Sequence, residues 1–547
     1  MNIAKRIETL AAKHPKKEST LFPKRTNFFG SPLYRYEKLN FYQLDKLASQ
    51  YAEGLIQAGL KPGDKTLLFI KPCLQFHALV FALFKAGIVP VLIDPGMGKN
   101  NLLQAIKDVK PKGLIAEPII HLIKLFYPKV FESIEVQVSN RSIPFSKIHN
   151  FHSWEKLPGE LKAKEVAPTE LAAILFTSGG TGKPKGVEYT HNIFDQQTSI
   201  LQEMFSLTEK DIDLPGFPLF SLFTLAMGMS SCVPDMNPSK PASCRPEKLI
   251  RNILDTKSTF LAGSPAIWLR VGKYCKNKNI QLPSVRCLAM FGAPVSNELH
   301  EIYKEALPNG TTYTPYGATE SLPVSNISGH EVLTQTANDT DNGQGTCVGM
   351  PAPHIQVKII PISDVPILSM EQTPTLPPMV KGEIIVSGGV VTARYHGEEK
   401  ATNLAKISDQ TVETGFWHRM GDIGFLDHQG RLWFCGRKSH RVETEQEALY
   451  PTPIESVFNR HPMVQRSALI GLGEYGKQIP AIVIQPNEEE IFDKRQLTHE
   501  LTIFAQENDM TKKIQKIYLT ETLPVDIRHN IKIDRLKLKS EAEGGRL

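Results

Sequence analysis

One segment, residues 171–186, constrains the fold more than any other part of the chain. The apolar run LAAILFT (171–177) leads directly into the glycine-rich loop SGGTG, and Lys183 and Lys185 follow on either side of a proline. An apolar run of this length is typical of a buried strand. Glycines let successive backbone N–H groups turn toward one anion, to which hydroxyls and lysines add contacts. The segment therefore predicts a strand followed by a phosphate-binding loop.

This loop differs from that of the P-loop nucleoside triphosphatases, which reads G-x-x-x-x-G-K-[ST]. If Gly182-Lys183 supplied the G-K pair, a glycine would stand at 177 and Ser or Thr at 184. The chain has Thr177 and Pro184 instead. A flexible Gly/Ser linker is the remaining alternative, and the two lysines around the proline argue against it.

Short apolar runs alternate with helical patterns between residues 42 and 117. The predicted strands are 66–70, 88–93 and 113–117, and the predicted helices are 42–59, 73–86 and 100–109. This alternation is typical of an α/β domain with a largely parallel sheet, which binds ligands beyond the carboxyl ends of its strands.

The second half of the chain follows a different pattern. Residues 321–350 are polar and glycine-rich and predict a surface loop, and 361–380 hold five prolines and predict an irregular excursion. After about residue 440, the predicted elements are strands at 467–471, 481–485 and 516–520 and a helix at 494–507. This end of the chain therefore predicts a small α+β domain.

Composition and charge exclude several classes of protein. A length of 547 residues predicts about two to four domains or subdomains. A net charge of +6 over this length predicts neither nucleic-acid binding nor strong attraction to an acidic membrane. The seven cysteines are too far apart for a zinc or redox pair, and their odd number suits buried thiols in a reducing cytosol.

Two segments decide whether the sequence predicts contact with a membrane. The N-terminal residues 1–19 lack the apolar core of a signal peptide and predict an amphipathic surface helix. The uncharged stretch 214–234 contains prolines, serines and a glycine, so it predicts a buried segment or pocket wall, with membrane contact as the alternative. We expect a cytoplasmic protein without a transmembrane segment, with peripheral membrane association left open.

The loop resembles the motif [ST]-[SGA]-G-[ST]-[ST]-G-x-P-K-G of the adenylate-forming superfamily, which comprises acyl-CoA synthetases, luciferases and peptide-synthetase adenylation domains. The resemblance implies ATP and Mg²⁺ as cofactors. Gly180 departs from it, because the family usually has a hydroxyl there. The residues that it assigns to the phosphates are Thr177, Ser178, Gly179, Gly180, Thr181, Gly182 and Lys185. Thr181 is also expected to take part in catalysis and in holding Mg²⁺.

Other motifs occur in the order found in the family. Tyr316-Gly317-Ala318-Thr319-Glu320 resembles its YGxTE segment, which implies that Tyr316 packs on adenine, Thr319 meets the adenylate phosphate and Glu320 holds Mg²⁺. A carboxylate is the ligand that such a hard cation prefers. The small residues Gly292, Ala293 and Pro294 resemble the segment that lies beside the adenine ring in the family.

Two further motifs concern the ribose and the boundary between domains. Gly421-Asp422 and Gly436-Arg437 resemble the GD…GR pair, which implies that Asp422 and Arg437 bind the ribose hydroxyls. Ionised carboxylates accept two hydrogen bonds readily, and arginine is a fixed donor. The family's hinge would fall at Ser439. The resemblance thus implies a large N-terminal domain with subdomains, 1–438, and a small mobile C-terminal domain, 439–547.

The segment before residue 535 resembles the one that carries the family's catalytic lysine, which is Lys532 here, although Ile531 replaces the usual glycine. An ammonium group there would neutralise charge while a carboxylate attacks the α-phosphate. His529 is a candidate base because it neighbours Lys532.

The nucleophile that attacks the acyl adenylate distinguishes the remaining alternatives. Thioester-forming members carry K-G-[YF] after the hinge, whereas 442–447 reads VETEQE, a poor match for anionic CoA. Segments 92–98, 233–242, 436–442 and 526–532 are similar to the olefin β-lactone synthetases of bacterial long-chain hydrocarbon biosynthesis. That similarity implies a 2-alkyl-3-hydroxy fatty acid as substrate, whose own β-hydroxyl displaces AMP.

Two other functions stay open from the sequence. One is a long-chain acyl-CoA or acyl-carrier-protein ligase, and the other is a scaffold that binds ATP without turnover. The retained Glu320, Asp422, Arg437 and Lys532 argue against the scaffold. The stretch 217–229 is either an alkyl-chain pocket or plain core. The expected partners are a long-chain β-hydroxy acid and, by resemblance, other enzymes of hydrocarbon biosynthesis, but no nucleic acid.

Overall fold

Parallel strands alternate with helices through much of the first 313 residues. The computed structural model describes residues 1–27, 29–177, 183–487, 493–525 and 533–547. Within these ranges the elements predicted between residues 42 and 117 are all present, each shifted by no more than about three residues. The predicted α/β class is thereby confirmed.

The helices of the described residues are α1 (Ala4–Lys13), α2 (Phe41–Gln57), α3 (Phe76–Lys85), α4 (Lys99–Val109), α5 (Pro118–Leu125), α6 (His191–Met204), α7 (Ser221–Ala226), α8 (Pro246–Thr256), α9 (Pro265–Lys278), α10 (Asn297–Ala306), α11 (Gly329–Glu331), α12 (Ala337–Asp341), α13 (Glu399–Ala405), α14 (Pro451–Phe458), α15 (Lys494–Gln506) and α16 (Arg535–Glu543).

The strands are β1 (Glu18–Arg25), β2 (Tyr34–Asn40), β3 (Lys65–Phe69), β4 (Val89–Leu92), β5 (Gly113–Ala116), β6 (Val136–Ser139), β7 (His149–Asn150), β8 (Leu171–Thr177), β9 (Lys185–Thr190), β10 (Ile212–Pro215), β11 (Ser230–Cys232), β12 (Phe260–Gly263), β13 (Cys287–Met290), β14 (Thr311–Tyr313), β15 (Tyr316–Ala318), β16 (Ser321–Asn326), β17 (Thr346–Pro351), β18 (Gln356–Ile360), β19 (Gly382–Ser387), β20 (Lys406–Ser408), β21 (Phe416–Leu426), β22 (Leu432–Arg437), β23 (Val442–Glu443), β24 (Ala448–Leu449), β25 (Val464–Leu472), β26 (Ile479–Pro486) and β27 (Lys516–Leu519).

Three large sheets hold most of these strands. The first has the order β7-β6-β5-β3-β4-β8-β9 and the second the order β14-β13-β12-β10-β11-β1-β2. Each is parallel except for one antiparallel edge strand, β9 in the first and β2 in the second. The third, β15-β16-β17-β22-β21-β19-β18 with β20 beside β21, is antiparallel. The carboxyl ends of parallel strands meet at one edge of a sheet, and ligands of α/β sheets bind there.

Local signals explain where α2 begins and ends. The Asn40 side chain accepts a hydrogen bond from the Gln43 backbone N–H at 2.8 Å, and the Gln43 side chain accepts one from the Asn40 N–H at 2.9 Å. This capping box satisfies two donors of the first turn. Gly59 follows the helix with a φ of +109°, a conformation that favours glycine.

The prediction of a surface loop over 321–350 is wrong. The range contains β16, α11, α12 and β17. The serines of this range contributed to the prediction of a loop. Ser321 and Ser325, however, are buried in β16, and the Ser325 hydroxyl donates a hydrogen bond to the Val348 carbonyl at 2.8 Å. Small polar side chains that find such partners can be buried in a sheet. The irregular excursion predicted for 361–380 is confirmed, since it contains only a short 3-10 turn.

The uncharged stretch 214–234 is buried, as predicted. None of its residues is exposed, and it forms the end of β10, a 3-10 turn, α7 and β11. Among the residues that the structure describes, no helix is both long and apolar enough to cross a membrane. All seven cysteines are free thiols, and six of them are buried, as the sequence predicted.

A small unit follows β22. Its sheet has the order β25-β26-β27, and α14, α15 and α16 surround it. It joins the rest of the chain near Glu383, whose side chain is completely buried in β19. Arg419 lies 2.7 Å from one oxygen of this carboxylate, and Lys438 Nζ lies 3.2 Å from the other. A little further on, the Arg441 guanidinium binds Asp364 of the larger portion and Tyr475 of the smaller.

Asp213, in β10, is buried without a cationic partner among the described residues. Its carboxylate accepts a hydrogen bond from the Thr224 hydroxyl at 2.7 Å, and burial raises its pKa to about 7. The unfolded carboxyl ionises at its ordinary pKa of 3.8. Between these two values the unfolded state binds fewer protons than the folded state, so a rise in pH favours unfolding.

We therefore expect Asp213→Asn to become more stable relative to the wild type as pH rises from about 4 to about 7. The difference should approach about 4 kcal/mol and then level off. Urea denaturation followed by circular dichroism across this pH range measures it. A difference that stays constant over the range would contradict a protonated, buried carboxyl.

Candidate active site

The two ends of the predicted phosphate loop lie side by side at the carboxyl end of β8. β8 and β9 form an antiparallel pair in which Thr177 lies opposite Lys185. The loop residues between them, Ser178, Gly179, Gly180, Thr181 and Gly182, lie outside the described residues. The strands thus fix where the loop begins and ends, at the ligand-binding edge of the first sheet.

Three residues assigned to the nucleoside meet in the third sheet. Asp422 in β21 and Arg437 in β22 are direct cross-strand partners, and Asp422 Oδ1 lies 3.0 Å from Arg437 Nη1. The Tyr316 hydroxyl donates a hydrogen bond of 2.5 Å to Asp422 Oδ2. Residues separated by more than a hundred positions in sequence therefore form one cluster.

The electrostatics of this cluster leave acceptor capacity on Asp422. Burial raises its pKa, and the neighbouring Arg437 guanidinium opposes that shift. The Asp422 charge raises the pKa of Arg437 in turn. Asp422 Oδ1 is buried, and within the described part of the chain it accepts no hydrogen bond of good geometry. A buried oxygen without such a hydrogen bond is suited to accept one from a ligand hydroxyl.

The backbone of the 316–320 segment is held tightly. A Cβ atom on Gly317 would lie 2.6 Å from the Ser321 carbonyl oxygen, so only glycine fits there. The Thr319 carbonyl accepts a hydrogen bond of 2.5 Å from the Tyr189 hydroxyl in β9. Tyr189 of the first sheet therefore fixes the position of segment 316–320, which begins with β15 of the third sheet.

Glu320 has a partner that the sequence did not indicate. The Tyr395 hydroxyl donates to Glu320 Oε1 at 2.8 Å, and the Glu320 carbonyl accepts from the Thr392 N–H at 2.9 Å. Burial raises the pKa of Tyr395, so its hydroxyl stays a donor. Lys185 Nζ lies 4.9 Å from the centroid of the same ring, a cation–π distance. No glycine or charge pattern marked Tyr395 in the sequence.

Lys406 and His418 form a second unpredicted pair beside Glu320. They are cross-strand partners in β20 and β21, and Lys406 Nζ lies 3.0 Å from His418 Nδ1. Burial lowers the pKa of Lys406 to about 7, an effect that the Glu320 charge opposes. Burial and the Lys406 charge hold the pKa of His418 well below its usual range. In the sequence, Lys406 is a lone lysine in a stretch of mixed polarity, and nothing there predicts its pairing with His418.

Gly292, Ala293 and Pro294 follow β13, next to the strand that leads into Tyr316. β13 and β14 are parallel neighbours, so the residues after them emerge at one edge. Gly292 has a φ of +89°, which favours glycine. The preceding Phe291 stacks on Phe220 at 5.2 Å, which connects this edge to the buried stretch 214–234.

The structure does not place every predicted site residue. Lys532 and His529 lie outside the described residues, as do the loop residues 178–182. Among the described residues, no group of three or more His, Cys, Asp or Glu side chains could hold a metal ion. A magnesium site built from one carboxylate and substrate phosphates needs no such group. Glu320 fits that use, because Tyr395 occupies only its Oε1 atom.

The fold and this cluster define an adenylate-forming type of protein. The model of the family described as AMP-binding enzyme matches residues 7–396, and the chain belongs to this family. Over 98% of its length the chain is 37% identical to the olefin β-lactone synthetase of Stenotrophomonas maltophilia and 36% identical to that of Xanthomonas campestris. The match covers 97% and 96% of those two proteins.

Solved structures support the same fold at lower sequence similarity. ATP-bound MatB from Rhodopseudomonas palustris is 20% identical, with a TM-score of 0.77 over 100% of both chains. The AMP complex of O-succinylbenzoate coenzyme A synthetase from Bacillus subtilis is 21% identical, with a TM-score of 0.75 over 98% of both chains.

We expect Tyr316→Phe to weaken AMP binding about tenfold, because Asp422 loses a donor that orients it. Isothermal titration with AMP measures the change. Tyr34→Phe is the matched control, since Tyr34 donates a 2.6 Å hydrogen bond to Asp235 at the edge of the second sheet. Equal AMP affinity in Tyr316→Phe and the wild type would refute this use of the cluster.

Proposed function

We propose that the protein uses ATP to convert a 2-alkyl-3-hydroxy fatty acid into its acyl adenylate and then closes a β-lactone. The observation that carries the proposal is the identity of 36–37% over 98% of the chain to two enzymes named olefin β-lactone synthetase. The products are the β-lactone, AMP and pyrophosphate. We also propose that it works in the cytoplasm and passes its apolar product to another enzyme of hydrocarbon biosynthesis.

The nucleoside binds between the second and third sheets in this proposal. The Tyr316 ring packs against adenine, with Gly292, Ala293 and Pro294 beside it, and Asp422 and Arg437 take the ribose hydroxyls. The free acceptor capacity of Asp422 Oδ1 supports that assignment. The loop 177–182 and Lys185 bind the phosphates.

Glu320, together with Thr181, is proposed to hold Mg²⁺ against the phosphate oxygens. The ion supplies charge neutralisation at the phosphates and orients them. Tyr395 fixes the Glu320 carboxylate through Oε1, which leaves Oε2 available within the described structure. Thr319 is proposed to meet the α-phosphate, and the hydrogen bond from Tyr189 to its carbonyl, which fixes the backbone there, supports this.

In the first step a substrate carboxylate oxygen attacks the α-phosphorus, and the bond from that phosphorus to the β-phosphate bridging oxygen breaks. Lys532 is proposed to neutralise the charge that develops there. In the second step the β-hydroxyl oxygen attacks the acyl carbon, AMP leaves with the electron pair of the broken C–O bond, and His529 accepts the hydroxyl proton. Nucleophile and electrophile belong to one molecule, which gives a proximity advantage that ring strain partly offsets.

The alkyl chains are proposed to lie against the stretch 217–229. Phe220 packs in an aromatic cluster with Phe223, 5.7 Å away, and with Phe291, which directly precedes Gly292. Phe217 and Phe223 are only partly buried. An apolar wall next to the adenine edge suits a substrate whose carboxylate must reach the α-phosphate.

The boundary between the large and small domains is proposed to lie at 438/439, with Ser439 as the hinge. In support, residues 438–440 form a short 3-10 turn that separates β22 from β23. Lys438 is bound to Glu383 of the large portion, whereas Arg441 binds residues of both portions.

The region after this turn favours an internal nucleophile over CoA. β23 and β24 form a hairpin that exposes Glu445, Gln446 and Glu447. Glu447 is paired with Lys513, so it is the Glu445 carboxylate that repels the phosphates of CoA. The substrate's own hydroxyl carries no such charge, so this hairpin does not hinder it.

The decisive experiment incubates the purified protein with ATP, Mg²⁺ and a 2-alkyl-3-hydroxy acid, with and without CoA. We expect the β-lactone, AMP and pyrophosphate in equal amounts without CoA, measured by mass spectrometry and a pyrophosphate assay. A product that forms only with CoA would identify an acyl-CoA ligase. Absence of pyrophosphate with every acid tested would identify a scaffold.

Two substitutions separate the proposed roles of Glu320 and Lys532. Glu320→Gln should raise the Mg²⁺ concentration that half-saturates pyrophosphate release by roughly tenfold or more, because a neutral amide is a weak magnesium ligand. Lys532→Ala should slow pyrophosphate release by roughly 10²–10³-fold without that change in Mg²⁺ dependence.

The exposed Glu371→Gln is the matched control and should behave as the wild type. An unaltered Mg²⁺ dependence in Glu320→Gln would refute metal binding by Glu320. An unchanged rate in Lys532→Ala would refute the role given to that lysine.

A further inference from the structure

Helix α5 presents its apolar side to solvent. Ile119, Leu122, Ile123 and Phe126 lie at i, i+3, i+4 and i+7, which is one helical face. Their exposed fractions are 57%, 52%, 38% and 74%, and the adjoining Leu125 is 70% exposed. A helix on the surface of a globular protein normally turns such a stripe toward the core.

The contacts of the inward side of α5 explain why this orientation is fixed. His121 is the only buried residue of the helix, and its Nε2 atom lies 3.0 Å from the Val138 carbonyl oxygen of β6. At the start of the helix, the Asn140 side chain donates a 3.0 Å hydrogen bond to Glu117. These contacts hold the inward face, so the apolar stripe must point outward.

The loop that begins at Asn140, which is bonded to Glu117 at the start of α5, carries another exposed aromatic residue, Phe145. A contiguous apolar surface such as the α5 stripe marks an interaction site, whereas scattered exposed side chains do not. Within the described part of the chain, nothing packs over the stripe.

Two lysines lie within the segment that contains α5. Between the flanking Glu117 and Glu132, the charged side chains are Lys124, on the inward side of the helix, and Lys129. Lys129 shares a surface depression with Lys107 and Lys110 of the neighbouring segment. The described residues contain no ion pair to any of these four lysines.

The acidic residues of that depression are mostly occupied. Lys183 lies 2.8 Å from Asp108 and 2.9 Å from Glu398, which leaves Glu132 as the remaining carboxylate. The net charge of +6 over the whole chain gave no sign of this local excess, because acidic residues elsewhere balance it.

We propose that α5 docks the protein on an anionic lipid surface, with the stripe of Ile119, Leu122, Ile123 and Phe126 among the acyl chains. Lys107, Lys110 and Lys129 face the lipid phosphates. Apolar residues combined with lysines are the composition of helices that lie in a membrane interface. Each lysine near an anionic surface adds to the attraction.

A protein partner fits these observations less well. Stable protein interfaces bury about 800 Å² on each side and are depleted in lysine. α5 has eight residues, and its surroundings are rich in lysine. The proposal also deepens the proposed function, since a lipid surface is where a substrate with two alkyl chains accumulates, but vesicle binding can be tested without any turnover.

The test is sedimentation of the full chain with vesicles of equal parts phosphatidylglycerol and phosphatidylcholine. We expect the wild type to bind them and to bind pure phosphatidylcholine vesicles more weakly. The double variant Leu122→Asn, Phe126→Asn should lose about tenfold or more in partitioning. Lys107→Gln with Lys129→Gln should lose about tenfold on anionic vesicles only.

Matched controls lie on other exposed helix faces. Leu254→Asn with Ile503→Asn changes apolar residues that are 43% and 53% exposed on α8 and α15, and Lys276→Gln with Lys278→Gln changes exposed lysines of α9. All of them should bind vesicles as the wild type does. AMP binding should be equal in every variant, which shows that each one is folded.

Two outcomes would overturn the proposal. Equal vesicle binding by the α5 variants and the wild type would show that the stripe does not meet lipid. A native mass, measured by light scattering without vesicles, that falls when the stripe is substituted would assign it to a second protein chain. If the wild type binds vesicles but forms no lactone, the proposed reaction is refuted and the inference of membrane binding stands.

Discussion

The ion pair between Asp422 and Arg437 holds the centre of the structure together. It links β21 to β22 at 3.0 Å, and Tyr316 reaches the same carboxylate from a separate strand of the sheet. Because Asp422 is buried, loss of its cation would leave an uncompensated charge, which costs far more than an exposed pair contributes. This contact ties Tyr316 to the paired strands β21 and β22, and the small unit begins just after β22.

From this pair a continuous set of contacts reaches β9, where the predicted phosphate loop ends. Tyr316 leads along the chain to Glu320, Glu320 binds Tyr395, and the Tyr395 ring lies under Lys185. Tyr189, a few residues beyond Lys185, returns to the Thr319 carbonyl. The first and third sheets are therefore joined by side chains of the site itself, which explains how motifs far apart in sequence act together.

Much of this could be predicted from the sequence where the signal is local. Periodicity gave α2 and β3 within a few residues, because capping residues and apolar runs encode them directly. The motifs also gave Tyr316, Asp422 and Arg437, which the structure brings together. Tyr395 and the pair of Lys406 with His418 could not be found this way, because only the tertiary fold gives these residues their neighbours.

The wrong prediction for 321–350 has the same origin. Ser321 and Ser325 have loop-like chemistry, yet both lie buried in β16, where the Ser325 hydroxyl finds a partner in the Val348 carbonyl. The apolar stripe of α5 has the spacing typical of a core-facing helix side, yet its residues are exposed and His121 is the buried one. Periodicity reveals that a helix has two different faces, but the direction of each face is set by what the helix packs against.

The carboxylate of Glu383 has a practical consequence for anyone who wishes to divide this chain. Both of its cationic partners, Arg419 and Lys438, come before residue 439. A fragment that ends at Lys438 keeps both cations beside this buried carboxylate, whereas one shortened by a single residue keeps only Arg419. The ion pairs that Glu383 makes with Arg419 and Lys438 therefore favour Lys438 as the last residue of a workable fragment.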